Sequence, residues 1–156
     1  MKALALLAAL LLAAPAPATP ADEAAIRGHG QQWVKAFKSG DIEALMKLYT
    51  PDAEVALHGQ PKLKGIAAIR AYFTPMLKTP LDADFLLAEE SLIVDHDTAV
   101  FMSKYWFTIR TPKGEIRDPG RSLIVYKKGQ DGIWRLRMDI DQAAPDVSYP
   151  PPPEAK

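Results

Sequence analysis

Apolar residues recur along this chain at two different periods. Between Asp22 and Ser39, the positions Ile26, Gly30, Trp33 and Phe37 fall at i, i+4, i+7 and i+11, which is one face of a helix. Gly40 follows as a helix-ending glycine. Asp41 precedes Ile42, Leu45 and Leu48, where its carboxylate can accept from the free N–H groups of a second helix. Pro51 ends that helix, and Pro51-Asp52 reads as a turn. Val55 and Leu57 alternate with Glu54, Ala56 and His58, as in a half-buried strand. Gly65 leads into Ile66, Ile69, Tyr72 and Phe73, a third amphipathic helix.

After Pro80 the texture becomes that of strands. Ala83 to Val94, Thr98 to Ile109, Arg121 to Lys128 and Ile133 to Ile140 are rich in Val, Ile, Phe, Tyr and Trp. Asp95-His96-Asp97, Pro112-Lys113-Gly114 and Gly129-Gln130-Asp131-Gly132 separate them as turns, which predicts an antiparallel meander. Three helices followed by a meander predict an α+β fold, with the helices on one face of a curved, mainly antiparallel sheet. Phe101, Tyr105, Phe107 and Ile109 oppose Val100, Met102 and Trp106, so one strand carries two apolar faces. Two such faces need two covers, the helices on one side and a second subunit on the other, so a homodimer is expected.

Residues 1–21 stand outside this pattern. Lys2 is a short basic region, Ala3 to Ala14 is a 12-residue apolar run, and Ala16-Pro17-Ala18 or Thr19-Pro20-Ala21 supplies small residues for cleavage. An apolar helix of that length is too short for a ~30 Å hydrocarbon core. The segment reads as a cleaved signal peptide, which predicts a periplasmic or secreted protein. Residues 22–144 then form one domain. Residues 145–156, with Pro150 to Pro153, read as a Pro-rich disordered tail. There are no cysteines, so stability comes from burial rather than disulfides. With 19 basic and 19 acidic residues, nothing points to a nucleic-acid partner. No second long apolar run predicts membrane association after cleavage.

Gly40-Asp41-Ile42-Glu43-Ala44, then Tyr49-x-x-Asp52-Ala53, then Gly65-x-x-Ala68-Ile69-Arg70 resembles the ketosteroid-isomerase-like and SnoaL-like proteins of the nuclear transport factor 2-like superfamily. The second half resembles one branch of it: Gly120-Arg121 running to Lys127-Lys128, then Asp131-Gly132-Ile133-Trp134, then Asp139. The resemblance implies a cone, in which a bent sheet wraps three helices and leaves a pocket open at one end. It also implies positions. The isomerase's donor tyrosine falls on Trp33, its base on Leu57, its neutral acid on Ser122 and a supporting tyrosine on Phe73, while Tyr49 keeps its hydroxyl. Leu57 cannot accept a proton, and Trp33 donates only through its indole N–H. The expectation is a retained pocket without the isomerase chemistry.

Candidate chemistry therefore moves elsewhere. His58, beside Leu57 at the expected rim, and Asp139 are the candidate catalytic residues. Two registers are open for the last strand. One turns Arg137, Asp139 and Asp141 into the cone; the other turns Trp134, Leu136, Met138 and Ile140 inward. A bulge between Trp134 and Asp139 would switch between them. An inward Asp139 would need a partner, with Arg137, Arg121 or His58 available. The expected ligand-binding set is Trp33, Tyr49, Leu57, Tyr72, Met102, Trp106, Ser122 and Asp139. His29 reads as a helix-surface residue, Lys104 as an exposed strand residue, and Asp95-His96-Asp97 as a solvated turn. No metal or cofactor is expected. The functional expectation is a module that binds a small, mostly apolar molecule. The alternatives are an isomerase- or cyclase-type enzyme with a relocated base, and a non-catalytic dimerisation module.

Overall fold

The computed structural model describes residues 19–155, so most of the expected signal peptide lies outside the described residues. Helix α1 (Pro20–Ser39) opens on a capping box, in which the Thr19 and Asp22 side chains each accept from the other's backbone N–H. Asp22 is only 6% exposed. Its Oδ1 also accepts from Lys128 Nζ at 2.6 Å and from Trp134 Nε1 at 2.8 Å. Those two donors belong to the second-half sequence signature. Part of that signature therefore clamps the start of the first helix to the far end of the sheet. The same donors, Lys128 foremost, hold the Asp22 carboxyl well below the usual carboxylate range. At the other end Gly40 takes the left-handed conformation that closes the helix, and a Cβ there would lie 2.9 Å from Leu77 O.

Helix α2 (Ile42–Lys47) is capped by Asp41, whose Oδ1 accepts from Ala44 N at 2.9 Å. The chain continues through β1 (Tyr49–Ala56), β2 (Leu63–Lys64) and α3 (Ile66–Phe73). Strands β3 (Ala83–Asp95), β4 (Thr98–Thr111), β5 (Gly114–Lys128) and β6 (Trp134–Ala143) complete it. The six strands form one sheet in the order β2-β1-β6-β5-β4-β3. Every pair is antiparallel except β1 with β6. Pro51-Asp52, expected as a turn, instead lies inside β1. The β1–β6 register shifts between Tyr49 and Glu54, and such an irregularity lets a strand carry a residue with no N–H to give.

One core joins helices and sheet: Ile26, Phe37, Leu45, Ile69, Tyr126 and Leu136 are each at most 4% exposed within it. Gly30 lets α1 lie close to β3, since a Cβ there would sit 2.9 Å from Leu87 Cδ1. Along β4, Phe101, Ser103, Tyr105, Phe107 and Ile109 face the helices. Period-two alternation then turns Met102, Lys104 and Trp106 to the outside.

The tail corrects an expectation. Ala144 and Val147 pack with Trp106 on the outer face, leaving the three at 3–7% exposure. Trp106 Nε1 donates to Ser148 O at 2.8 Å, and Tyr149 Oη donates to Phe107 O at 2.9 Å. Arg121 binds Glu90 and Asp146, tying the tail's start to the same face. A Pro-rich composition removes helix and ladder options, but it does not prevent a segment from covering an indole that would otherwise stand in water.

Candidate functional site

The inner surface of the sheet and the helices enclose a cavity of about 290 Å³. Its walls are aromatic. Trp33 stacks on Phe37, with centroids 4.9 Å apart, and meets Phe85 at 5.7 Å and the edge of Phe73 at 6.0 Å. Phe85 stacks on Tyr105 at 5.8 Å and meets Phe107 at 5.5 Å. The exposed His58, Gln60 and Met76 mark the mouth. Gly120 makes room for Tyr105: a Cβ there would lie 2.5 Å from Tyr105 Oη and closer still to Gln142 O.

Polar groups concentrate on β5 and β6. Leu136 lines the cavity, and so do Asp139 and Asp141. Such a pattern is impossible for a regular strand, because positions 136 and 139 would face opposite ways. The β5–β6 ladder resolves it: Tyr126 pairs with Leu136 and Val125 with Met138, so Arg137 is an extra, bulged residue. Each sequence register is thus half right. Trp134 and Leu136 point inward before the bulge, Asp139 and Asp141 after it, and Ile140, 44% exposed, points out.

Among the described residues Asp139 meets no cation. Arg137 pairs with Asp52 at 3.2 Å, Arg121 is held by Glu90 and Asp146 on the outside, and His58 offers only its backbone N–H, to Asp141. Among the described residues nothing hydrogen-bonds the Asp139 carboxyl. Burial, and then the neighbouring Asp141, push it up to about 7. Burial likewise raises Asp141, with Asp118 adding to the effect. Asp118 lines the cavity too.

His29 also belongs here, not on the helix surface. It is 3% exposed, and its Nε2 donates to Leu48 O at 3.2 Å. Burial lowers its pKa to about 4 and keeps the ring neutral. Its Nδ1 is then an acceptor, buried and without a partner. Tyr105 Oη is likewise buried without a well-formed hydrogen bond. Burial raises its pKa, with Asp141 next in effect.

Of the residues expected to bind ligand, Trp33, Leu57, Tyr72, Ser122 and Asp139 line the cavity, as does His58. Tyr49 lies behind the wall and accepts from Trp33 Nε1 at 2.8 Å. Met102 and Trp106 do not reach the cavity; strand alternation places both on the outer face, and the tail covers Trp106. Missing from the expected set were His29, Phe85, Tyr105, Asp118 and Asp141. Two signals pointed to some of them: His29 sits three residues after Ile26 and four before Trp33, on the apolar helix face, and Tyr105 shares the odd-numbered face of β4 with Phe101 and Phe107.

Residues 31–138 match the model of the SnoaL-like domain. The chain belongs to that family. The fold is the cone of the nuclear transport factor 2-like and ketosteroid-isomerase-like proteins. A candidate dehydratase of the nuclear transport factor 2-like family from Streptomyces avermitilis superposes with TM-score 0.71 at 18% identity, covering 81% of this chain and 99% of that one. A candidate aromatic ring hydroxylase from Novosphingobium aromaticivorans gives 0.72 at 20%, covering 84% and 94%. A ketosteroid isomerase-like protein from Erwinia carotovora atroseptica gives 0.64 at 19%, covering 79% and 96%. At these identities the likeness is one of fold. No curated protein matches the sequence.

Proposed function

We propose that this SnoaL-like domain binds a small, mostly apolar molecule inside its cone, with Asp139 as the polar handle. One observation carries the reading. An aromatic cavity of about 290 Å³ contains a carboxyl that nothing among the described residues neutralises or hydrogen-bonds. Burying such a group unpaired opposes folding, so a bound partner gives its position a use. Calorimetric titration with 1-naphthalenemethanol, a bicyclic ring with one hydroxyl, tests the reading. Saturable binding that disappears in Leu57→Trp, where the larger ring fills the cavity, is expected. Absence of saturable binding to the native protein overturns it.

The elevated pKa of Asp139 favours a second reading, an acid/base enzyme of the isomerase or cyclase type. A carboxyl pushed up to about 7 exchanges its proton at neutral pH, as a general acid or base must. The neighbours described as a candidate dehydratase and a candidate hydroxylase accord with a catalytic use of the same cone. Loss of turnover in Asp139→Asn, with His58→Ala nearly unchanged, would support Asp139 as the relocated base.

The outer sheet face adds a proposed homodimer. Met102, Leu123 and Ile140 are cross-strand neighbours there, and Val100, Val125 and Met138 form the next row. An isologous pairing of two such faces would cover both rows at once. Export completes the proposal. Cleavage after Ala18 would leave the Thr19 cap on α1 intact, whereas cleavage after Ala21 would remove it. N-terminal sequencing of the periplasmic protein distinguishes the two.

A further inference from the structure

We infer that the ligand of this cavity carries a protonated amine, held by Asp139 and Asp141 with the charge of Asp118 nearby, while its apolar body lies against the aromatic walls. The inference rests on the reading of the cavity as a ligand site and names the ligand's class.

The hydrogen-bonding inventory of the cavity is unbalanced. Three carboxyl groups line it, and among the described residues no lysine or arginine does. The buried Nδ1 of His29 is a further acceptor without a partner, because Nε2–H is committed to Leu48 O. The indole N–H of Trp33, a fixed donor in the wall, is committed to Tyr49. Tyr105 Oη, buried next to Asp141 without a well-formed hydrogen bond, can donate one hydrogen bond and accept another. The unmet demand is therefore for donors carrying positive charge. An ammonium supplies three N–H donors and one such charge.

Other occupants fit less well. A carboxylate or phosphate ligand would meet Asp139 and Asp141 with like charge and would find neither lysine nor arginine among the described lining residues, only the exposed imidazole of His58 at the mouth. A neutral apolar ligand would leave Asp139 without a hydrogen bond after displacing solvent, which forfeits affinity. A metal ion needs ligands closer together: no group of three or more His, Cys, Asp or Glu side chains among the described residues is placed to hold one. The walls add to the preference for an organic cation, because the faces of Trp33, Phe85 and Tyr105 attract positive charge through their ring quadrupoles.

The test compares three probes of one shape by calorimetry at pH 7.5: 1-naphthylmethylamine, 1-naphthalenemethanol and 1-naphthoate. The amine is expected to bind at least about tenfold more tightly than the alcohol, the preference that one charge-assisted hydrogen bond supports, and naphthoate weakest. Asp139→Asn and Asp141→Asn should each remove most of that preference, read as the ratio of the amine's affinity to the alcohol's in the same variant. Equal or tighter binding of the alcohol, or tightest binding of naphthoate, overturns the amine inference and leaves the cavity reading standing. An amine preference that survives both substitutions also overturns it, since attraction by distant surface charge would then explain it. Binding of none of the three overturns both readings.

Discussion

Trp33 donates its indole N–H to Tyr49 Oη at 2.8 Å, across the space between α1 and β1. The residue onto which the resemblance places the isomerase's donor is thus turned toward a neighbouring hydroxyl. Leu57, onto which the resemblance places the base, brings no ionisable group to the cavity wall. A positioned general base typically contributes ~10²–10⁴-fold, and an oxyanion donor ~10²–10³-fold. The purified domain should therefore turn over a 5-ene-3-ketosteroid no faster than about a thousandth of an ordinary isomerase rate. Spectrophotometric formation of the conjugated product checks this. A rate near that of an efficient isomerase, abolished by Asp139→Ala, would contradict it.

Asp139 should make the protein less stable as pH rises. Its carboxyl is pushed up to about 7 in the folded protein, against ~3.9 for an exposed aspartate. Between those values the folded state holds a proton that the unfolded chain has lost, so stability falls with increasing pH. Above pH 8 the full effect is present. At about 1.4 kcal/mol per pH unit, Asp139→Asn should stabilise the fold there by roughly 2–4 kcal/mol, and by almost nothing at pH 4. Urea titrations of both proteins at pH 4.5, 6 and 8 measure the difference. A destabilising effect of Asp139→Asn at pH 8 would mean the carboxylate has a cation partner.

His29 acts with the opposite sign. Burial lowers it to about 4, below its unfolded value of ~6.5. Between those values the unfolded chain binds the extra proton, and stability rises with pH. The rise due to His29 opposes the fall due to Asp139 from about pH 4 to 6.5, and the raised Asp141 adds to the fall, so the native protein should lose stability there less steeply than a His29 variant. His29→Gln should steepen the fall, and Asp139→Asn should shift the curve toward the rise due to His29. A His29→Gln curve parallel to the native one would show that the ring titrates normally.

Trp106 reports on the tail. It is 3% exposed beneath Ala144 and Val147, and large-to-alanine changes at such sites cost ~3–5 kcal/mol. Trp106→Ala should reach that range. A chain ending at Ala143 should lose stability as well, with Trp106 fluorescence shifted to the red. Changes within about 0.5 kcal/mol in both would match an exposed indole under a loose tail.

The outer face should hold two copies together. Leu123, 38% exposed, pairs across β5–β6 with Ile140, 44% exposed. Sedimentation at micromolar concentration should give a dimer mass for the native protein and a monomer mass for Leu123→Arg, with the melting temperature of the isolated fold little changed. A native monomer would set the proposed dimer aside.

The linear sequence determined the elements, because their causes are local. Caps at Asp41 and Gly40, the i, i+4, i+7 stripe from Ile26 to Phe37 and the turn at Asp95-His96-Asp97 act within a few residues. They place the helices and hairpins before any packing is known. The family's motifs added the cone and the positions of Trp33, Leu57 and Ser122 on its wall. What the sequence left open was the facing of residues, which depends on partners distant in the chain. Alternation along β4 gives two apolar faces, and only the docking of α1 on one and the tail on the other makes Tyr105 a wall residue and Trp106 a buried outer one. On β6 a single extra residue, Arg137, lets Leu136 and Asp139 face the same way. A bulge is set by pairing with β5 and β1 rather than by the residues of β6 themselves. The absence of a cation beside Asp139 among the described residues is likewise tertiary: Arg137 is two residues away and Arg121 lies on the neighbouring strand, but the sheet aims Arg121 at Glu90 and Asp146 and Arg137 at Asp52.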